Sequence, residues 1–133
     1  MPGIKTPLPK LMMAVQKIRY GKNCEFYGLP VIVRTGNSEM VLGNGVVVKS
    51  SFLSNLIGLY QRSIIIARAG GKVMLDDDVR MSATTIYSRA SIHIGKHTSI
   101  GANVKIFDHD FHPIDPDERL EHPNSGMKCK PIE

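Results

Sequence analysis

Residues 94–115 read IGKHTS, IGANVK and IFDHDFHPID, and this stretch decides the fold. In the first two hexapeptides an aliphatic residue is followed by Gly, and a small or β-branched residue stands four positions after the aliphatic one. The third begins in the same way at Ile106, but it carries Asp110 where the small residue belongs, and the chain then leaves the repeat through Phe-His-Pro at 111–113. A regular repeat that ends in acids and histidines predicts a rigid scaffold with an active site at its edge.

The same pattern recurs earlier in the chain, so the repeat extends over most of the sequence. Further copies begin at Leu42 and Leu75, and a weaker copy begins at Ile57. The copies at Ile57, Leu75 and Ile94 are about eighteen residues apart, which is three hexapeptides and fits one turn of a three-sided prism. Short β-branched runs predict strands at 31–33, 46–48 and 64–66.

The hexapeptide pattern has a steric explanation. The aliphatic residue points into a narrow prism and stacks on its equivalent one coil above, while the small residue faces the little space that remains. Gly and Asn near the corners accept the turning backbone. The pattern predicts an all-β fold, a left-handed parallel β-helix, which is an exception to the right-handed preference of parallel crossovers. A β-sandwich is the alternative, but it predicts longer alternating strands without a six-residue period.

We expect three segments along the chain. Residues 1–25 form an N-terminal helical cap, residues 26–111 the β-helix, and residues 112–133 a protruding exit loop followed by the start of a return strand. Apolar residues recur at helical spacing over 8–20, and Gly21 is a stop signal. Basic residues beside this helix would also suit contact with a membrane surface, but we favour a helix that packs across the end of the domain.

Composition limits the partners and the compartment. The net charge of +5 is compatible with an anionic partner, but the basic residues are scattered and no aromatic-basic motif accompanies them, so we expect no nucleic acid. Cys24 and Cys129 form neither a metal-binding spacing nor a disulfide framework. No signal peptide is visible, and no run approaches the ~18 apolar residues of a membrane span. We therefore expect a cytoplasmic protein.

These hexapeptides resemble those of the hexapeptide-repeat acyltransferase family. Residues 112–132, which begin with His-Pro and end with Lys-Pro-Ile, are similar to the maltose and galactoside O-acetyltransferase branch, in which a His-Pro loop leaves the helix before the chain returns to further coils. Residues 106–112, IFDHDFH, resemble sugar O-acetyltransferases of surface-polysaccharide pathways. The resemblance covers roughly residues 20–133.

The resemblance implies a homotrimer with active sites between neighbouring prisms, each of which receives acetyl-CoA and a hydroxyl of a sugar or polysaccharide precursor. The family's catalytic histidine falls on His112, which implies a general base in direct acyl transfer. Imidazole suits this role because its unperturbed pKa of ~6.5 leaves it able to accept a proton near pH 7. Direct transfer needs no nucleophilic Cys129. The alternatives are an N-acyltransferase acting on an amino sugar or an antibiotic, and an inactive trimeric scaffold.

Three further residues are candidates for substrate binding. Asp108 and Asp110 are expected to orient the imidazole or to contact sugar hydroxyls, unless this acidic strand end simply faces solvent. Ser82 lies where the disaccharide-modifying branch commonly has an acceptor-binding Asn, so the identity of the acceptor stays open. His109 is a weaker second candidate for the base. The sequence assigns no cofactor-binding residue.

Acids and histidines near 108–112 are also metal-ligand types. The gamma-class carbonic anhydrases, which share the prism fold, use three histidines at long spacings, and the five histidines here do not reproduce that pattern. We therefore expect no metal, and we expect His93 and His97 on the surface or in subunit contacts. The sequence stops at Glu133, where the family continues into coils that form most of its acetyl-CoA groove. A chain of this length should therefore bind acetyl-CoA poorly unless another segment completes the groove.

Overall fold

A computed structural model describes residues 5–121 and 126–133, so residues 1–4 of the predicted cap and 122–125 of the predicted exit loop, with His122, lie outside it. Twelve short strands in the described part form three sheets of four strands each. The chain visits the three sheets in turn and then returns to the first, so it winds as a parallel β-helix. The predicted all-β, parallel-stranded architecture is confirmed, since the described residues contain only two short α-helices.

All strand pairs within the three sheets are parallel. The first sheet contains β1 (Arg19–Tyr20), β4 (Glu39–Leu42), β7 (Lys72–Leu75) and β10 (Ser91–Ile94). The second sheet contains β2 (Glu25–Tyr27), β5 (Val47–Lys49), β8 (Arg80–Ser82) and β11 (Ser99–Ile100). The third sheet contains β3 (Val31–Arg34), β6 (Ile64–Ala67), β9 (Thr85–Ser88) and β12 (Lys105–Phe107).

The core consists of ladders of inward-facing side chains, one rung from each coil. In the first sheet Leu42 pairs with Leu75, and Leu75 pairs with Ile94. These three residues begin copies of the predicted repeat, and all three are buried. The third sheet carries a continuous isoleucine ladder of Ile32, Ile65, Ile86 and Ile106. Burial of each such side chain contributes about 1.5–3 kcal/mol of hydrophobic stabilisation.

The weaker repeat copy at Ile57 is not a rung of the core, and that prediction was wrong. After β5 the chain leaves the coil through residues 50–63, which contain a 3-10 turn at Phe52–Ser54, and it re-enters at β6. Ile57 lies in this excursion and is 66% exposed. At the position where the repeat requires a small inward residue, Gln61 instead donates hydrogen bonds to the Ala83 carbonyl and the Thr85 hydroxyl, which fastens the excursion to the next coil.

The N-terminal helix α1 spans Leu8–Val15 and buries Met13 against the end of the coil. It ends before the predicted Gly21 because Lys17 adopts a left-handed backbone conformation (φ 55°), after which Arg19 and Tyr20 form β1. Gln16 follows the helix and binds the open edge of β3: its amide nitrogen donates to the Ile32 carbonyl, and its amide oxygen accepts from the Arg34 N–H. The helix therefore covers a sheet edge that would otherwise be unpaired.

Residues 108–133 leave the last coil and return to it. Helix α2 (Pro116–Glu121) lies in this excursion, and Asp115 caps its first turn by accepting hydrogen bonds from two backbone N–H groups. The chain then comes back so that Ile132 pairs in parallel with Ile92 of the first sheet. Neither α1 nor α2 has the length and apolar character needed to cross a membrane.

Candidate active site

The candidate site lies at the corner where the third sheet leads into the first, beside the last coil. The chain exits there after β12, and the same corner in the coils below is formed by Thr35, by Arg68 with Ala69, and by Arg89. A cleft of about 470 Å³ opens at this corner. Its lining residues are Thr35, Arg68, Ala69, Tyr87, Arg89, Phe111 and His112.

Asp108 is the buried anchor of this corner. Its carboxylate accepts hydrogen bonds from the Ser88 hydroxyl at 2.6 Å and from the backbone N–H groups of Arg89 and Ala90 at 2.8 and 2.9 Å. Burial acts to raise the pKa of Asp108, but these hydrogen bonds outweigh it and hold the pKa below its usual value. The carboxylate is therefore ionised and fastens the last coil to the one beneath it, and its side chain is not exposed to a substrate.

His109 is enclosed beside Asp108. Its Nδ1 lies 3.0 Å from Oδ1 of Asp108, so the imidazole that Asp108 orients belongs to His109. Its ring packs against Tyr87 and Phe111, with centroids 4.7 and 4.2 Å away. Nε2 is buried and has no hydrogen-bond partner among the described residues. In this conformation the His109 ring does not reach the surface, which separates it from any acceptor hydroxyl.

A strained turn carries His112 to the rim of the cleft. Phe111 has a positive φ of 63°, which is unfavourable for a bulky residue. Its ring is held edge-on by Tyr87 and Phe107 at centroid distances of 5.4 and 4.9 Å. The backbone N–H of His112 then donates to the Asp110 carbonyl at 2.7 Å, which closes the turn. His112 is exposed at the cleft, whereas Asp110 is exposed on a separate cleft formed with residues 128–132.

Ser82 lies at a different corner, where the second sheet leads into the third. It is 7% exposed, and its hydroxyl accepts a hydrogen bond from the Asn55 amide at 3.2 Å. It lines another cleft, with Arg80 and Ser99 among its neighbours. Within one chain, therefore, Ser82 and His112 do not share a cleft.

Sequence reasoning missed Arg68 and Arg89. They lie next to each other because Ala67 and Ser88, which precede them, are register partners in adjacent strands. The hexapeptide pattern identifies inward-facing positions, whereas these arginines each follow a buried residue and point away from the core. Aligning the coils by their isoleucine ladder would have placed both arginines at one corner.

His93 and His97 each pair with one carboxylate and do not belong to the lining of this cleft. His93 Nε2 lies 3.1 Å from Asp76 Oδ1, and His97 Nδ1 lies 3.3 Å from Asp78 Oδ2, both on partly exposed turns of the prism. Within residues 5–121 and 126–133, no group of three or more His, Cys, Asp or Glu is placed to hold a metal ion. Both cysteines are free: Cys24 is buried, and Cys129 is exposed.

No protein-family model matches the chain, and neither a curated protein nor a solved structure matches it.

Proposed function

We propose that the protein is an acetyl-CoA-dependent O-acetyltransferase that acts on a hydroxyl of a sugar or surface-polysaccharide precursor. The observation that carries the proposal is the position of His112, exposed at the rim of a 470 Å³ cleft on a stiff coil. A cleft of this size suits a small ligand. The sequence resemblance described above supplies the reaction type.

In this proposal His112 acts as the general base. Its neutral imidazole accepts the proton of the acceptor hydroxyl while the hydroxyl oxygen attacks the thioester carbonyl of acetyl-CoA. A carbon–oxygen bond forms, the carbon–sulfur bond breaks, and the imidazolium returns the proton to the departing thiolate. The turn at Phe111 favours this chemistry because a base held on a rigid scaffold loses little orientational freedom when the substrate binds.

We further infer a left-handed coil, as the hexapeptide pattern implies, and a homotrimer, as the family resemblance implies. In a threefold assembly the contact is heterologous, so one corner of a prism meets a different corner of its neighbour. This arrangement would allow Ser82 of one protomer to approach His112 of the next, although the two residues occupy separate clefts of one chain.

The excursion after β5 supports an interface at the Ser82 corner. It exposes a group of large apolar side chains: Phe52, Leu53, Leu56, Ile57 and Tyr60. Its Asn55 binds the Ser82 hydroxyl, so this apolar surface lies beside Ser82. Contiguous exposed apolar groups typically mark interaction surfaces, and a neighbouring prism would cover this one. Solution mass measurement tests this part of the proposal, and a monomer would contradict it.

The activity is tested by thiol release from acetyl-CoA with a panel of sugars that includes an amino sugar. The wild-type chain is compared with His112→Ala and with the control His97→Ala, which removes an exposed imidazole from another turn. Loss of a general base predicts that His112→Ala decreases the rate of thiol release by about 10²-fold or more. The control His97→Ala should keep the wild-type rate. Equal rates in wild type and His112→Ala would remove His112 from the mechanism. A trimer that releases no thiol with any acceptor would favour the scaffold, and acetylation of the amine alone would favour an N-acyltransferase.

A further inference from the structure

The cleft beside His112 is lined by groups that donate hydrogen bonds. Arg68 and Arg89 each present a guanidinium group, and Thr35 and Tyr87 each present a hydroxyl. No carboxylate belongs to its described lining. A cleft with two cations and no acid is electrostatically suited to an anion.

Within residues 5–121 and 126–133 no carboxylate oxygen lies within ion-pair distance of Arg68 or Arg89. Asp108 anchors this corner, but its side chain is fully buried and its oxygens are already occupied by Ser88, His109 and backbone N–H groups, including that of Arg89. The Arg89 guanidinium contacts the Met127 sulfur at 3.5 Å, and this neutral atom does not compensate its charge.

Arg62, Arg80 and Arg119 also have no ion pair among the described residues, so Arg68 and Arg89 are distinguished by sharing one cleft rather than by being unpaired. Arg19 pairs with Glu39 at 2.6 Å. The Arg34 guanidinium donates to three backbone carbonyls, among them that of Ser38 at 2.7 Å. By contrast, Arg68 and Arg89 occupy one corner in adjacent coils and both face the same cleft.

We propose that the acceptor is phosphorylated, and that Arg68 and Arg89 bind its phosphate next to the hydroxyl that His112 activates. This inference rests on the proposed transferase activity, and it names the substrate class of that same site. The planar guanidinium fork matches two phosphate oxygens at once, which a lysine ammonium cannot do. The phosphate thereby fixes the orientation of the sugar relative to the imidazole.

Coenzyme A also carries phosphates, but its geometry favours the acceptor as the source of this anion. The pantetheine arm separates the thioester from the diphosphate by a long chain of bonds. A thioester placed at His112 holds the diphosphate at the far end of the pantetheine arm, whereas Arg68 and Arg89 line the same cleft as His112 itself. We therefore assign the anion at the two arginines to the acceptor, whose phosphate lies closer to its reacting oxygen, and the titration with coenzyme A tests this assignment.

The test is a binding measurement that needs no turnover. Isothermal titration at low ionic strength and in phosphate-free buffer compares glucose 1-phosphate, inorganic phosphate, glucose and coenzyme A. The proteins are wild type, the double variant Arg68→Gln/Arg89→Gln, and the control Arg62→Gln/Arg119→Gln, which removes the same charge from exposed positions elsewhere. Wild type should bind glucose 1-phosphate at least about tenfold more tightly than glucose. The Arg68→Gln/Arg89→Gln variant should lose at least about tenfold in affinity for glucose 1-phosphate, and the control variant should keep the wild-type affinity. Arg68→Lys/Arg89→Lys should give intermediate affinity, because it keeps the charge and removes the fork.

Three outcomes would overturn the inference. Glucose 1-phosphate could bind no better than glucose; the control could lose as much affinity as the cleft variant; or the cleft variant could lose affinity for coenzyme A alone, which would assign the arginines to the coenzyme. Because Arg68 is exposed, the single variant Arg68→Gln provides a folded comparison if the double variant is unstable. The titration contains no acetyl-CoA, so failure of the phosphate site appears as lost binding of glucose 1-phosphate, whereas failure of the transferase proposal appears only in the thiol-release assay.

Discussion

Nδ1 of His109 lies 3.0 Å from Oδ1 of Asp108, and neither side chain is exposed to solvent. The same carboxylate holds the Ser88 hydroxyl and two backbone N–H groups of the coil below. Two residues after His109, Phe111 turns the chain outward, and its ring packs at a tilt of 50° against that of His109. The exposed His112 therefore follows closely after a buried polar pair, Asp108 and His109. This pair fixes the backbone from which the proposed base extends.

Asp108→Asn should lower the free energy of unfolding at pH 7 by about 2–4 kcal/mol, because the amide offers its own N–H₂ to groups that already donate. The pKa of Asp108 is held below its ordinary value of 3.8, so its contribution is present above pH 3.8 and is lost as pH falls through the folded-state pKa. Urea unfolding at pH 7, 5 and 3 checks this: the difference between wild type and variant should shrink at the lowest pH.

The exposed neighbour Asp110 provides the control for Asp108. Asp110→Asn should change stability by no more than about 0.5 kcal/mol at any of these pH values. A gap between wild type and Asp108→Asn that is as wide at pH 3 as at pH 7 would show that the carboxylate charge is not what stabilises the corner.

Phe111→Ala and Phe111→Gly separate strain from ring packing. Both variants lose the aromatic contacts with Tyr87, Phe107 and His109, but only Gly accepts the φ of 63° without steric cost. Phe111→Gly should therefore be more stable than Phe111→Ala by roughly 1 kcal/mol, measured by urea unfolding. Acetyl transfer should nevertheless fall in both, and further in Phe111→Gly, because the turn that presents His112 is then free to move. Equal stability of the two variants would argue against strain at this residue.

The sequence predicts the fold correctly at positions where a single aliphatic residue forms one rung of a core ladder. Leu42, Leu75 and Ile94 begin copies of the hexapeptide and do stack on one another, because an aliphatic side chain at that position has only the prism interior to occupy. Ile57 obeys the same local pattern, but it has no partner strand and lies in an exposed excursion. A local sequence pattern shows that a residue is compatible with an inward-facing position in a coil. It does not show whether the coil is continuous at that residue.

The site was less accessible to sequence reasoning because its contacts join different coils. The exit of the chain identified His112 as a candidate, since a His-Pro pair that follows a repeat is a local feature. The burial of Asp108 depends on Ser88 one coil below, and the pairing of Arg68 with Arg89 depends on the register of β6 and β9. Both require the alignment of adjacent coils, and the Ser88–Asp108 contact joins residues 20 positions apart in the sequence.

Ile86→Ala and Ile57→Ala should differ sharply although both replace an isoleucine near a predicted repeat. Ile86 is fully buried between Ile65 and Ile106, so its truncation leaves a cavity and should cost about 2–5 kcal/mol. Ile57 is largely exposed, and its truncation should change stability by about 0.5 kcal/mol or less. Denaturant unfolding measures the free energy of unfolding of the two variants. A large decrease for Ile57→Ala would show that residues 50–63 contribute to the core.

Gly43→Ala and Gly95→Ala test why the hexapeptide contains glycine. A Cβ atom on Gly43 would lie 2.6 Å from the backbone nitrogen of Asp77 in the next coil, whereas one on Gly95 would meet no atom of the described residues within 4 Å. Neither glycine has a positive φ, so the backbone itself accepts alanine at both. Gly43→Ala should therefore destabilise by about 1–3 kcal/mol through overpacking, while Gly95→Ala should be neutral or stabilising by about 0.4–1 kcal/mol. If thermal or urea unfolding shows equal losses at both positions, the corner turn itself requires glycine; unequal losses assign the requirement to the coil stacked above.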